Sequence, residues 1–342
     1  MNDLLQLTKS GLYCTAGGFF IDPWQPVDRA VLTHAHSDHC RSGSRQYLVS
    51  REGLPVFRTR LGVSSAIEGL AYGDQVILGG VKVSFHPAGH ILGSAQVRVE
   101  HQGQVWVVSG DFKLEPDSTC TAFEPVRCDL FVTESTFGLP IYRWPPAAEL
   151  TAELNAWWRG NQKQGKASLL MGYALGKAQR LLACLDPSIG PIYLHGAVHK
   201  LVEDYRSAGV RLPPTRPVVE APSSTNWSQA LILAPPSVHG SPWTRRFGAH
   251  STAMASGWMQ IRGTRRRKAL DRGFVFSDHA DWPGLLLAIR ATQASRVWVT
   301  HGYVAVLVRY LRSQGFDAQA VETRYQGESL EEEAAEPEEA KE

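Results

Sequence analysis

Four groups able to bind a divalent cation fall within six residues of one another: His34, His36, Asp38 and His39, in His34-Ala35-His36-Ser37-Asp38-His39. Neutral imidazole nitrogens and carboxylate oxygens suit Zn²⁺ and Mn²⁺, and imidazoles two positions apart can face one ion. Histidine makes up only 12 of the 342 residues, so three in this window argue against an ordinary polar surface loop. The same residue types recur singly where apolar runs end: His90 after Gly89, Asp111 after Gly110 and His301 before Gly302. Together they complete a count of three nitrogen or oxygen ligands for each of two ions, with one carboxylate left to bridge.

Such residues have to be delivered by rigid elements. Residues 18–22 read as a strand ending at Pro23, and residues 29–33 as another that runs into the histidine cluster. Residues 81–85 and 95–100 alternate as strands do, while 104–109 and 129–133 are apolar strands that stop at Gly110-Asp111 and at Glu134. Strands that end in polar residues place those side chains on one edge of a sheet. The middle of the chain changes character. A helix is expected over 147–159 behind Pro145-Pro146. Strand and helix then alternate: strand 166–172, helix 177–185, strand 192–195, helix 200–208, a Pro-rich loop over 210–228 and a buried strand over 231–234. The earlier style returns in strands 273–276 and 296–300, which end at Ser277-Asp278-His279 and at His301. The pattern is one domain interrupted by a compact α/β insertion.

Composition bounds the function. The chain is 43% hydrophobic and 20% charged, which excludes disordered and fibrous classes for most of its length. No apolar run approaches the roughly 18 residues that span a bilayer, and Met1 to Ser10 lacks the pattern of a secretory signal. Five scattered cysteines form no C-x-x-C pair, so neither a disulfide framework nor a thiolate zinc site is expected. A cytoplasmic protein without a membrane anchor is the expectation. The net charge of +2 hides an asymmetry. Gly327 to Glu342 holds eight Glu and one Lys and carries −7, which leaves +9 on the rest. A body that basic suits a polyanionic substrate, and the tail is expected to be disordered.

The ligand pattern resembles the metallo-β-lactamase superfamily. The resemblance implies an αββα sandwich with two metals at one sheet edge. By that likeness His34, His36 and His90 hold one ion, and Asp38, His39 and His301 hold the other. Asp111 bridges them, and Asp22 steadies the ligand loop from behind. Glu134-Ser-Thr-Phe-Gly138 and Phe276-Ser-Asp-His-Ala-Asp281 are similar to two elements of the β-CASP nucleases. Tyr173-Ala-Leu-Gly-Lys-Ala-Gln179 and Ala255-Ser-Gly-Trp-Met259 resemble segments of their inserted domain. The organisation implied is a metallo-β-lactamase domain over 1–140 and 276–326, a short β-CASP insertion over 141–275 and an acidic tail over 327–342. Within β-CASP proteins, residues 11–14, 21–29 and 139–146 are most similar to the ligase-associated DNA exonucleases. That group implies DNA as substrate and a functional association with an ATP-dependent DNA ligase and a helicase in DNA repair. His301 points the other way: it matches the histidine of RNA-processing β-CASP enzymes, such as mRNA 3′-end processing factors, where the DNA-crosslink repair branch usually carries Val.

Phosphodiester hydrolysis needs a strong nucleophile and charge relief at phosphorus. Two Zn²⁺ or Mn²⁺ ions about 3.5–4 Å apart can activate a shared water and clamp the phosphoryl oxygens. Asp38 and Asp111 belong to that centre, His279 is the candidate to assist the leaving group, and Glu134 the carboxylate that orients His279. Candidate phosphate contacts are Lys177, which follows a glycine at a strand-to-helix turn, and the basic run Arg262, Arg265, Arg266, Arg267 and Lys268, with Arg245, Arg246 and Arg272 nearby. Thioesterases and lactamases of the same superfamily share the ligands but lack the Glu134 and His279 elements and the insertion.

Overall fold

The computed structural model describes residues 3–261, 263 and 269–325. It is a mixed α/β structure of two compact units. The first lies within Met1–Arg143 and Asp278–Gly327, and the second within Trp144–Ser277.

Two mixed sheets build the first unit. One has six strands in sequential order: Gln6–Thr8, Gly11–Cys14, Phe19–Ile21, Arg29–Val31, Gln46–Ser50 and Ile67–Leu70. The other has seven, in the order Asp317–Ala320, Arg296–Gly302, Leu130–Ser135, Gln104–Val108, Ala95–His101, Val81–Pro87 and Gln75–Leu78. Their inner faces share one core, in which Leu12, Phe19, Ile21, Val31 and Leu48 of the first sheet meet Val83, Phe85, Val97, Trp106 and Trp298 of the second. Each such side chain contributes about 1.5–3 kcal/mol of burial free energy. On the outer face of the seven-stranded sheet, Val107, Phe131, Val297 and Val299 pack under two helices, Trp282–Ala291 and Val304–Ser313. Leu130–Ser135 is therefore covered on both faces, and all six of its residues are buried.

Strand direction decides where the chemistry gathers. Gln104–Val108, Leu130–Ser135 and Arg296–Gly302 run parallel. Val81–Pro87 is antiparallel to Ala95–His101, which is antiparallel to Gln104–Val108, so it points the same way. The C-terminal ends of these four strands lie on one edge of the sheet, and they carry His90, Asp111, Glu134 and His301. In the other sheet the parallel strands Phe19–Ile21 and Arg29–Val31 end at Asp22 and at the histidine cluster. The Ala95 amide, donating to the Thr33 carbonyl at 2.8 Å, ties the two edges together.

The second unit is an all-parallel sheet in the order Arg216–Pro217, Ile192–Leu194, Leu231–Ala234, Ala167–Met171, His250–Ser256 and Arg272–Val275. Helices Ala147–Lys163, Lys177–Cys184 and Gly196–Ser207 belong to it.

Several boundaries differ from the sequence reading. Glu134 and His301 lie inside the last turns of their strands rather than just beyond them. The helix expected from residue 200 begins at Gly196, because His195 caps it by accepting from the Ala197 amide. The Pro-rich stretch 210–228 contains the short strand Arg216–Pro217 and two 3-10 turns. Trp158, in the middle of the helix Ala147–Lys163, is wholly buried. No described helix is long and apolar enough to cross a membrane, and all five cysteines are free. The tail 327–342 lies outside the described residues.

Candidate metal centre

The histidine cluster sits in a tight loop after Arg29–Val31, where the amides of His39 and Cys40 both donate to the His36 carbonyl. His34, His39, His90 and Asp111 are all buried. Ligand atoms of His34, His36, His90 and Asp111 lie within 4.8 Å of one another, and so do those of His39, Asp111 and His301. Asp111 is common to both groups. Its Oδ2 stands 3.5 Å from His34 Nε2 and 3.8 Å from both His39 Nε2 and His90 Nε2, and its Oδ1 stands 3.1 Å from His301 Nε2. His36 Nδ1 is 3.0 Å from His90 Nε2. Asp38, half-buried, flanks the second group with Oδ2 at 3.6 Å from His39 Nε2.

A ring of hydrogen bonds sets which nitrogen each imidazole presents. His39 Nδ1–H donates to Asp22 Oδ2 at 2.8 Å. His90 Nδ1–H donates to the Asp278 carbonyl at 2.8 Å. The Thr33 hydroxyl spends its proton on Asp22 Oδ2 at 2.5 Å, so it accepts from His34 Nδ1–H at 3.0 Å. Thr300 repeats the device: its hydroxyl donates to the Thr133 carbonyl at 3.1 Å and accepts from His301 Nδ1–H at 3.2 Å. All four rings therefore turn Nε2 toward Asp111. The Nε2 atoms of His34, His39 and His301 and the Oδ1 of Asp111 are buried without a hydrogen-bond partner. Outer groups that fix ring orientation in this way are typical of metal-ligating histidines.

The charges agree. Burial, with His39 as neighbour, holds His34 well below the ordinary imidazole range, and burial with His279 does the same for His90. Both rings are neutral donors. Burial opposes charge on His39 too, but Asp38, Asp111 and Asp22 outweigh it and push the ring up to about 10. Burial would raise Asp111, but His39 and His301 hold it well below the carboxylate range. Asp38 is lowered in the same way, chiefly by His39 against burial. The pocket thus gathers two lowered carboxylates and two neutral imidazoles around His39, whose proton a bound cation would displace. Nitrogen and oxygen ligands about 2.0–2.2 Å from one tetrahedral ion stand about 3.3 Å apart, and the observed separations of 3.0 to 3.8 Å bracket that value. The donor set fits two divalent ions that share Asp111.

Glu134 and His279 form a third group with Asp111, again within 4.8 Å. Glu134 Oε1 accepts from the Phe112 amide at 2.8 Å and Oε2 from His279 Nδ1–H at 2.9 Å, so both of its oxygens are engaged. The His279 ring lies 4.6 Å from that of His90. The Ala280 amide, donating to the Phe112 carbonyl at 2.6 Å, pins the chain beside it.

Glycines make the close approaches possible. Gly89, at φ +74°, leaves room for the Lys113 carbonyl, which an added Cβ would meet at 2.3 Å. Gly302, at φ +95°, does the same for the Ser135 carbonyl, also 2.3 Å from such a Cβ. Asp22 itself sits at φ +43°, a conformation that Asp tolerates better than most residues.

Arg262, Arg265, Arg266, Arg267 and Lys268 lie outside the described residues. Lys177 is wholly buried at the start of its helix, with Nζ 5.9 Å from the Tyr173 ring centre. Arg245 and Arg246 are exposed in the second unit, where Arg246 lies over Trp243. Arg272 pairs with Glu153 at 2.8 Å. The sequence reading did not single out Thr33, Thr300 or Tyr325. For the first two a signal existed, the Thr-His pair repeated at two strand ends.

No family profile matches the chain. A protein of Opitutus terrae named probable DNA ligase is 33% identical over 314 residues, which cover 91% of this chain and 30% of that protein. A protein of Thermus thermophilus named ribonuclease TTHA0252 is 30% identical over 213 residues, 54% of this chain and 46% of that one. The chain thus spans less than half the length of these curated relatives. A crystal structure of a protein of unknown function from Enterococcus faecalis V583 shares the fold at a TM-score of 0.55 and 13% identity, covering 79% of this chain and 74% of that one. The ligand-bearing strand ends and these relatives are consistent with one family, the β-CASP nucleases of the metallo-β-lactamase superfamily.

Proposed function

We propose that this chain is a metal-dependent nuclease that hydrolyses phosphodiester bonds, and that it is a DNA exonuclease working in repair alongside an ATP-dependent DNA ligase. In this reading the first unit is the αββα sandwich of the superfamily and the second its short β-CASP insertion. The observation that carries the reading is the convergence of bare imidazole nitrogens on buried Asp111 beside the Glu134–His279 pair.

His34, His36 and His90 would hold one ion, His39, Asp38 and His301 the other, and the two oxygens of Asp111 face both groups. Zn²⁺ or Mn²⁺ bound there supplies Lewis acidity and a nucleophile at neutral pH. The protein's own groups do the rest. Asp22, Thr33 and Thr300 engage Nδ1 of His39, His34 and His301, so that each ring turns Nε2 toward the ion sites. His279, oriented by Glu134 through Nδ1, would deliver a proton to the leaving oxygen. The Glu134 carboxylate stabilises the imidazolium that this delivery requires. The body's charge of +9 suits a polyanion.

DNA is favoured because the match to the ligase-named relative runs over 91% of this chain. A second reading, an RNA-processing nuclease, is favoured by His301 and by the ribonuclease name of the Thermus thermophilus relative. Matched end-labelled DNA and RNA, single- and double-stranded, separate them when assayed with Zn²⁺ or Mn²⁺ beside Asp38→Ala. Stepwise release of nucleotides from DNA alone, absent in the variant, is the expected result, and the label position reports polarity. Cleavage of RNA alone would replace the DNA reading with the second one. No metal-dependent cleavage of either would remove both.

A further inference from the structure

We propose that Tyr325 is a positioning residue for the second ion site, acting through the ring of His39. The proposal rests on the metal reading above and names a side chain that the ligand pattern does not contain. Tyr325 follows the last strand, Asp317–Ala320, and returns to the ligand edge, where it is buried. Its ring lies flat on His39, with centroids 4.3 Å apart and an interplanar angle of 15°. It meets His301 edge-on at 5.8 Å and Trp24 edge-on at 5.8 Å. Its hydroxyl donates to the Asp22 carbonyl at 2.9 Å.

Three facts make this more than packing. First, both of its imidazole contacts, His39 and His301, belong to the second ligand group. No contact joins it to His34, His36 or His90 among the ring contacts of the described residues. Second, Asp22 holds the His39 ring by one edge and the His34 ring meets it at a 41° tilt with centroids 4.2 Å apart; neither lies flat against it, which leaves tilting about Cβ–Cγ to be resisted. A ring stacked on the face closes that freedom and keeps water off it. Third, an imidazole bound to a cation is electron-poor, and a phenol face is a favourable neighbour for such a ring. The hydroxyl adds a second hold by anchoring the backbone of Asp22, whose carboxylate orients His39. The ring carries the effect in this proposal and the hydroxyl supplements it.

Loss of groups that orient a metal ligand typically weakens binding about 10–100-fold. The test is a Zn²⁺ titration of the demetallated full chain against a chromogenic chelator, with circular-dichroism melting as a check on folding. Wild type, Tyr325→Phe, Tyr325→Leu and His39→Ala are compared, the last identifying which binding step belongs to the His39 group. The expected result is two ions in wild type, a step lost in His39→Ala, and that same step about 10–100-fold weaker in Tyr325→Leu while the other stays within about threefold. Tyr325→Phe, which keeps the ring, should bind within about threefold of wild type. Unchanged binding in Tyr325→Leu would overturn the proposal. So would equal weakening of both steps with a lowered melting temperature, which marks general structural support, and so would a Phe variant as impaired as Leu. A wild type that takes up no Zn²⁺ would overturn the metal reading itself, and this proposal with it.

Discussion

Glu134→Gln isolates the role of one carboxylate without changing its shape. The native side chain answers two donors, the Phe112 amide at 2.8 Å and His279 Nδ1–H at 2.9 Å. Glutamine has one oxygen and one NH₂. The backbone amide cannot turn away, so the oxygen stays with Phe112 and the NH₂ faces His279. The imidazole must then become an acceptor at Nδ1, which moves its proton to Nε2 and removes the buried counter-charge of the imidazolium. A hydrogen bond to a charged group is worth about 1.5–3 kcal/mol, and about 1.4 kcal/mol is tenfold in rate. The expected loss in kcat/KM is therefore roughly 10–150-fold. His279→Ala sets the limit, a loss of about 10²–10⁴ if the ring acts as general acid. The double variant should lie within about threefold of His279→Ala, because the two residues act as one unit. Rates are read on end-labelled substrate, and metal content by mass spectrometry should stay at two ions in all three variants. An unimpaired Glu134→Gln, an additive double variant, or loss of metal from His279→Ala would refute the reasoning, the last by making His279 a ligand.

The remaining predictions test the centre around that pair. Asp38→Ala and His39→Ala should each reduce hydrolysis to background while nucleic-acid affinity, read by filter binding, stays within about threefold; full activity in either would end the metal reading. Chelation should abolish activity and lower the melting temperature, with both restored by Zn²⁺ or Mn²⁺, since a ligand that binds only the folded chain stabilises it. A melting curve indifferent to chelator would contradict that linkage. Gly89→Ala should cost about 2–3 kcal/mol, from the positive φ and the clash with the Lys113 carbonyl. In a unit of this size that lowers the melting temperature by roughly 5–10 °C, and an unchanged melt would show that the turn before His90 yields freely.

What could be seen in the sequence follows from range. The loop from His34 to His39 is local, so its donor chemistry is legible in six letters. His90, Asp111 and His301 are legible as a class because each ends an apolar run beside a glycine, and strand direction does the rest. Asp22 needed the resemblance, since nothing local says that its carboxylate receives three donors from Thr33 and His39. The edge strands Gln6–Thr8 and Ile67–Leu70 escaped because three or four residues with exposed positions carry no clear period. Tyr325 escaped for a stronger reason. A stacking contact between the end of the chain and a residue near its start leaves no spacing to read, and a lone tyrosine beyond the last strand looks like any other aromatic. A metal centre's donors can be recognised from their types, because coordination chemistry restricts them to a few. The groups that aim those donors include a carbonyl, a hydroxyl and a phenol face, which almost any sequence supplies. Only the fold tells which of them is in place, and for that reason the support of a site is harder to read from sequence than the site itself.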